Sequence, residues 1–181
     1  MDPAISLSRH ARLELSGVDR PVVREVQAPS RYGLSMHSWR DGLSVAAQAD
    51  LDQVLDASLG LARRSLAEAS EFDPFALVTD VEGRLLAVDV DTSALGKHPD
   101  SLAIARGITT QLKTLTDSAR CTALTLNTRL SQERTDALEV RLDHREGASL
   151  IVLLPYKRPK FGGRLEFGEL KAFAGPRDVW G

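Results

Sequence analysis

The sequence predicts an α+β fold: an antiparallel sheet of about five strands with two main helices, in the order helix-β-β-helix-β-β-β. An N-terminal hairpin precedes this unit and a C-terminal strand or tail follows it. Three observations predict the fold. Two stretches repeat apolar residues every three or four positions, the period of a helix with one buried stripe. Two pairs of apolar segments flank the dipeptides Glu82-Gly83 and Glu146-Gly147, where glycine supplies the positive φ of a tight reversal. The connections between successive strands are short, which favours antiparallel pairing. With 181 residues, 43% hydrophobic and 27% charged, the chain suffices for one domain with its own core.

The first element is a strand from Ile5 to Leu15, where Ile5, Leu7, Ala11, Leu13 and Leu15 alternate with polar residues. Ser16 to Pro21 supplies turn residues, and Val22 to Gln27 reads as the returning strand of a hairpin. Ala28 to Asp41 lacks periodicity and reads as a surface linker, with Tyr32 or Trp39 as anchors. The first helix follows, with Leu51, Val54, Leu55, Leu59, Ala62, Leu66 and Ala69 as its stripe. Asp50 with Gln53 suits its cap, and Ser44 equally suits an earlier start. Phe75 to Val81 and Arg84 to Val90 form the first hairpin of the central unit. The second helix runs from about Pro99 to Thr116, with Leu102, Ala105, Ile108, Leu112 and Leu115 facing the core.

Cys121 to Asn127 reads as a strand with Thr122, Leu124 and Leu126 on one side. Leu138 to Arg145 reads as the next strand, and Leu138 to Asp143 alternates strictly, so one face is buried and the other wet; His144 lies in register with the buried residues. The partner segment, Ala148 to Leu154, contains the unbroken apolar run Leu150 to Leu154, which predicts a strand covered on both faces. Arg164 to Phe167 is one further strand, extending toward Phe173. The organisation expected is a hairpin arm and linker over 1–40, a central α+β domain over 41–156, and a basic loop and tail over 157–181 packed on that domain.

The net charge of −2 hides an uneven distribution. Residues 1–40 sum to +2, residues 41–149 to −7 and residues 150–181 to +3. Basic extensions docked on an acidic domain, within one chain or between two, are the arrangement this implies. No apolar run approaches the roughly 18 to 20 residues that span a bilayer, and no secretory leader is visible, so a cytoplasmic protein without membrane contact is expected. The lone Cys121 cannot form a disulfide within its own chain.

Candidate chemistry is sparse. The chain has no G-x-S-x-G elbow, H-E-x-x-H, phosphate-binding loop, G-x-G-x-x-G or paired C-x-x-C. Asp89, Asp91, Ser93 and Asp100 occupy positions 1, 3, 5 and 12 of a calcium loop, whose oxygens suit a hard cation. Ala94 stands where that loop needs glycine, and the segment leading in reads as a strand, so the stretch is a polar connection with Asp100 at a helix N-terminus. His144 is the histidine placed for acid-base work, although hydrogen bonding at the core edge explains it equally. His10, His37 and His98 have no local partner at metal-ligand spacing. Cys121 beside Arg120 reads as a small buried hydrophobe rather than a reactive thiolate. Tyr156, Lys157, Arg158, Lys160 and Arg164, with Phe161 among them, combine cations with aromatics as a single-stranded nucleic-acid site does. A pI near 6.1 argues against nucleic acid as the partner and leaves this segment, with His144, as a ligand or partner patch.

From Leu51 to Tyr156 the element order and the two glycine-tipped hairpins resemble the roadblock type of domain, found in certain dynein light chains and in bacterial partners of small GTPases. Other profilin-like α+β folds share the order. The resemblance implies a non-enzymatic, often dimeric scaffold of bacterial type; it transfers no individual residue. The expectation is therefore a cytoplasmic protein-protein interaction or scaffolding module, homodimeric, without metal or cofactor. The alternative is a small-molecule-binding protein or enzyme with a cleft near His144 and Tyr156.

Overall fold

The computed structural model describes residues 40, 42–88, 100–159 and 163–181. The expected hairpin Ile5 to Gln27, most of the linker Ala28 to Asp41, and the calcium-like positions Asp89, Asp91 and Ser93 lie outside them. The described elements are α1 (Val45–Glu68), β1 (Phe75–Asp80), β2 (Leu85–Val88), α2 (Ser101–Lys113), β3 (Ala119–Leu130), β4 (Thr135–His144), β5 (Ser149–Lys157), β6 (Glu166–Phe167) and β7 (Lys171–Ala174). The fold is α+β, and among the described residues its sheet has seven antiparallel strands where about five were expected. The order is β2-β1-β3-β4-β5-β6, and β7 pairs with β5 beside β6. The two extra strands come from the tail, which the break at Gly168 to Leu170 splits into two short pieces.

Of the two starts open to α1, Ser44 is the one used. Its hydroxyl accepts from the Ala47 amide at 3.0 Å, satisfying one of the unpaired donors of the first turn. That moves the helix start upstream and places Asp50 inside the helix, not at its cap. Leu51, Val54, Leu59, Ala62 and Leu66 are buried against Leu77, Ala123, Leu138, Val140, Leu142, Val152 and Leu154 of the sheet. Each such leucine contributes about 1.5 to 3 kcal/mol through burial, so α1 is anchored along its whole length.

On the opposite sheet face α2 is shorter. Asp100 caps it, accepting from the Ala103 amide at 2.7 Å, so the carboxylate offered as the last position of a calcium loop is a helix cap. Ile104, Ala105, Ile108 and Leu112 pack on Ala76, Val78, Leu124 and Leu126. Leu102, expected in that stripe, is 58% exposed; the helix starts only one residue earlier, and Leu102 lies off the buried face. Gly83 and Gly147 adopt φ of +82° and +108° at the two hairpin tips, as the turns require.

Burial on β5 alternates. Leu150, Val152, Leu154 and Tyr156 are buried beneath α1, whereas Ile151, Leu153 and Pro155 on the reverse side are half-buried. The apolar run had predicted cover on both faces, and the described residues supply it on one.

Candidate functional site

Asp50 is a charge in the middle of the apolar stripe of α1, one turn before Val54. Its carboxylate accepts from Arg120 Nη2 at 2.7 Å and faces His144 Nε2 at 3.4 Å. Arg120 comes from β3 and His144 from the end of β4, where the register sets His144 opposite Cys121. The Asp50 and His144 side chains are 8% and 1% exposed, so the three groups form a polar anchor inside the α1 layer. The second imidazole nitrogen, Nδ1, accepts from the Glu146 amide at 3.1 Å. With Nδ1 an acceptor, the ring proton sits on Nε2 and points at Asp50. Glu146 closes the cluster: its carboxylate accepts from the amide and hydroxyl of Ser44, at 3.1 and 2.9 Å. The Ser44 amide first, then its hydroxyl, hold the Glu146 carboxyl below its ordinary value.

Aspartate, histidine and cysteine near one point suggest nucleophilic catalysis, but this geometry does not supply it. Both imidazole nitrogens are engaged elsewhere, and neither is bonded to the Cys121 thiol. Cys121 is fully buried; burial first, then the charges of Asp50 and Asp143, push its thiol well up, away from the reactive thiolate. The cluster ties α1 to β3, β4 and the turn after β4.

A second buried carboxylate, Asp143, lies on the other face. Its Oδ2 accepts from the Val179 amide at 2.9 Å and, more loosely, the Trp180 amide at 3.4 Å, while Arg177 Nε stands 3.7 Å from Oδ1. The C-terminal segment is thereby strapped over the end of β4, with Val179 buried in the α2 layer. Burial is the main influence on Asp143 and raises its carboxyl; the two amides and Arg177 oppose that, and the charge of Asp178 adds to it.

The expected patch is not gathered at one point. Eight steps along β4 separate His144 from Asp136, the partner of Tyr156, or about 26 Å of extended strand. Tyr156 is buried beneath α1, donating its hydroxyl to Asn127 Oδ1 at 2.9 Å. Arg158 donates to the carbonyls of Leu66 and Ala69 at 2.8 and 3.1 Å, so this cation caps the C-terminal end of α1. Lys157 and Arg164 are exposed, and Lys160 lies outside the described residues. Pro155, Tyr156, Lys157, Glu166, Phe167 and Gly168 line an open cleft of about 300 Å³ beside β6. Among the described residues no group of three or more His, Cys, Asp or Glu is arranged to hold a metal ion, and no helix is long and apolar enough to cross a membrane.

The remaining feature is a surface. On the side of the sheet away from α1, α2 packs on β1 and β3. Beyond it, the register aligns Arg141, Ile151 and Phe173 in one row across β4, β5 and β7, and Glu139, Leu153 and Lys171 in the next. Phe173 is 37% exposed and the other five are partly exposed. Arg141 Nε donates to Glu139 at 2.7 Å along β4, and Lys171 pairs with Glu133 at the rim. Sequence reasoning missed this face because it is assembled from three strands, one of them contributed by the tail. It also missed Asp50 and Arg120, although a carboxylate lying in register with Val54 and Ala57 on a helix stripe was a readable sign of a buried ion pair. No family model matches the chain, and no curated protein or solved structure is significantly similar to it.

Proposed function

We propose that the protein is a non-enzymatic protein-protein interaction module that works as a homodimer in the cytoplasm. The observation that carries this reading is the sheet face of β4, β5 and β7, where Ile151, Leu153 and Phe173 lie together without a covering helix among the described residues. An apolar patch rimmed by charges is the usual form of a protein-binding surface. The element order shared with roadblock-type domains, often dimeric scaffolds, supports the reading. So does the internal use of the buried ionisable groups: Asp50, Arg120 and His144 hold the fold together. A single cysteine, buried and free, suits a reducing compartment.

Sedimentation velocity over a concentration series tests the proposal. A species that moves from monomer to dimer across the micromolar range is expected; a chain that stays monomeric at high micromolar concentration refutes the dimer. A second reading, a small-molecule-binding protein, draws on the cleft beside Tyr156 and Phe167. A ligand panel scored by thermal shift tests it, because binding to the native state raises the melting temperature by mass action.

A further inference from the structure

Among the described residues α2 covers only part of its side of the sheet. It stands on β1 and β3, and beside it β4, β5 and β7 form a floor about 10 Å wide, the diameter of one helix. Thr109 lines a small cavity with Arg141 and Asp143, so that flank of α2 looks onto β4. Leu102 precedes Thr109 by seven residues, two helical turns, and shares the flank. α2 ends at Lys113, close to the start of β3 and hence to the Asp143 end of β4. Leu102 therefore lies about 10 Å the other way, level with Glu139 and Leu153. Two exposed large apolar residues thus border one basin. Leu102, 58% exposed, is on the α2 wall and Phe173, 37% exposed, on the far rim, with Ile151 and Leu153 on the floor. Pro176 and Asp178 of the C-terminal strap close the basin beyond Arg141, so it is open beside the first half of α2.

We infer that the basin receives the first two turns of α2 from a second copy of the chain, each copy docking its helix in the other. This rests on the dimer reading and names the surface and the element that fills it. The two-fold axis runs along the strands, midway between the two helices. The helices then lie side by side in one layer between the sheets, each standing on β1 and β3 of its own copy and on β4 and β5 of the other. Such an axis preserves level along the strands, so Leu102 meets Leu102 of the second copy across it. The outward side of α2 faces the basin floor. Ala103 is small and lets the helix approach Leu153, while the exposed Arg106 comes toward Glu139. Arg106 is the only charge from Ser101 to Gly107, and the cations around the basin, Arg141 and Lys171, are already paired with Glu139 and Glu133. Arg141 takes Oε1 of Glu139, and the carboxylate has a second oxygen to offer. The exchange is isologous, as a two-fold dimer requires, and it covers Leu102, Ile151 and Leu153 together. Two helical turns per copy make a contact below the roughly 800 Å² per partner of a standard interface, so the dimer is expected to be reversible.

The test uses the full chain in sedimentation equilibrium and in mild oxidation, with urea unfolding to show that each variant is folded. Leu102→Glu changes a residue already exposed, so the fold is expected to stand while dimerisation weakens about tenfold or more. Leu153→Asp, on the floor, is expected to do the same. Leu102→Cys sets two thiols facing each other across the axis, within reach of a disulfide, and is expected to give a covalent dimer on oxidation. Cys121 is buried, so the native chain gives the blank. Val45→Cys, at a site 84% exposed and on the opposite side of the sheet, measures random collision. A native dimer that Leu102→Glu or folded Leu153→Asp leaves unchanged overturns this docking while leaving the dimer standing. So does a Leu102→Cys chain that cross-links no faster than Val45→Cys. A native chain monomeric at all concentrations overturns both.

Discussion

Replacing Asp50 by alanine removes the shared acceptor of Arg120 and His144. The guanidinium, whose side chain is 25% exposed, is left with its charge uncompensated, and the imidazole Nε2 proton is left pointing at a methyl group in a dry interior. Breaking a buried ion pair from one side costs about 3 to 5 kcal/mol, because the surviving charge stays desolvated. An orphaned buried donor costs about 1 to 3 kcal/mol. Partial exposure of Arg120 lets water recover some of the first cost, so about 3 to 4 kcal/mol in all is expected, a large share of the stability of about 5 to 15 kcal/mol typical of a domain. With a urea slope of about 2 kcal/mol/M, the midpoint falls by about 1.5 to 2 M. Asp50→Asn keeps one acceptor and lies between the two. The decisive comparison is Asp50→Ala with Arg120→Met in the same chain, which removes the stranded charge and regains part of the loss. A single variant within about 1 kcal/mol of the native chain, or a double variant whose loss is the simple sum of the singles, refutes the anchor.

Three further outcomes follow from individual residues. Burial pushes the Asp80 carboxyl up, but the backbone amide and guanidinium of Arg84 and the amide of Glu82 together hold it below its ordinary value. Its contribution is present above the unfolded value of about 3.9 and disappears as pH falls through the lower folded value; Asp80→Asn is therefore expected to flatten the acid limb of urea midpoint against pH. Asp143 has the opposite sign: with its folded value raised, the native state binds more protons, and stability falls as pH rises from about 3.9 through that value. Asp143→Asn should gain on the native chain across that rise, and a constant difference from pH 3.5 to 7 contradicts the assignment. Gly83→Ala places a methyl group at φ +82° and 3.1 Å from Arg120 Nη2, at a cost of about 1 to 2 kcal/mol by thermal unfolding. An unchanged melting temperature contradicts that strain.

Local signals carried the elements, and non-local packing decided the rest. The stripe of α1, the glycine tips at Gly83 and Gly147 and the alternation of β4 all depend on residues within one turn or one hairpin, and the structure has each of them. Asp143 shows where such reasoning stops. Alternation places it with Glu139 and Arg141 on the wet side of β4, and it does lie on that face, but the amides of Val179 and Trp180, more than thirty residues away, take it out of water. Leu102 fails in the other direction: its spacing fits the stripe of α2, yet the helix axis turns it outward. Arg158 reads from the sequence as part of a ligand or partner patch because its neighbours are basic and aromatic. Its target is the end of α1, some ninety residues earlier, and no sequence window contains both.

The charge asymmetry has a partly intramolecular answer. Arg40 forms a two-pronged contact with Asp52, Lys171 pairs with Glu133, and Arg177 reaches toward Asp143, so cations near both ends meet anions of the central segment. The Arg40–Asp52 and Lys171–Glu133 pairs are partly exposed, each worth no more than about 1 kcal/mol, and they orient these segments more than they stabilise them. The apolar run on β5 is the stronger constraint. Of its five residues, Leu150, Val152 and Leu154 are covered by α1, while among the described residues no helix covers Ile151 and Leu153. Branched aliphatic residues at both positions, in register with the oppositely charged Arg141 and Glu139, are what the proposed interaction surface offers a partner.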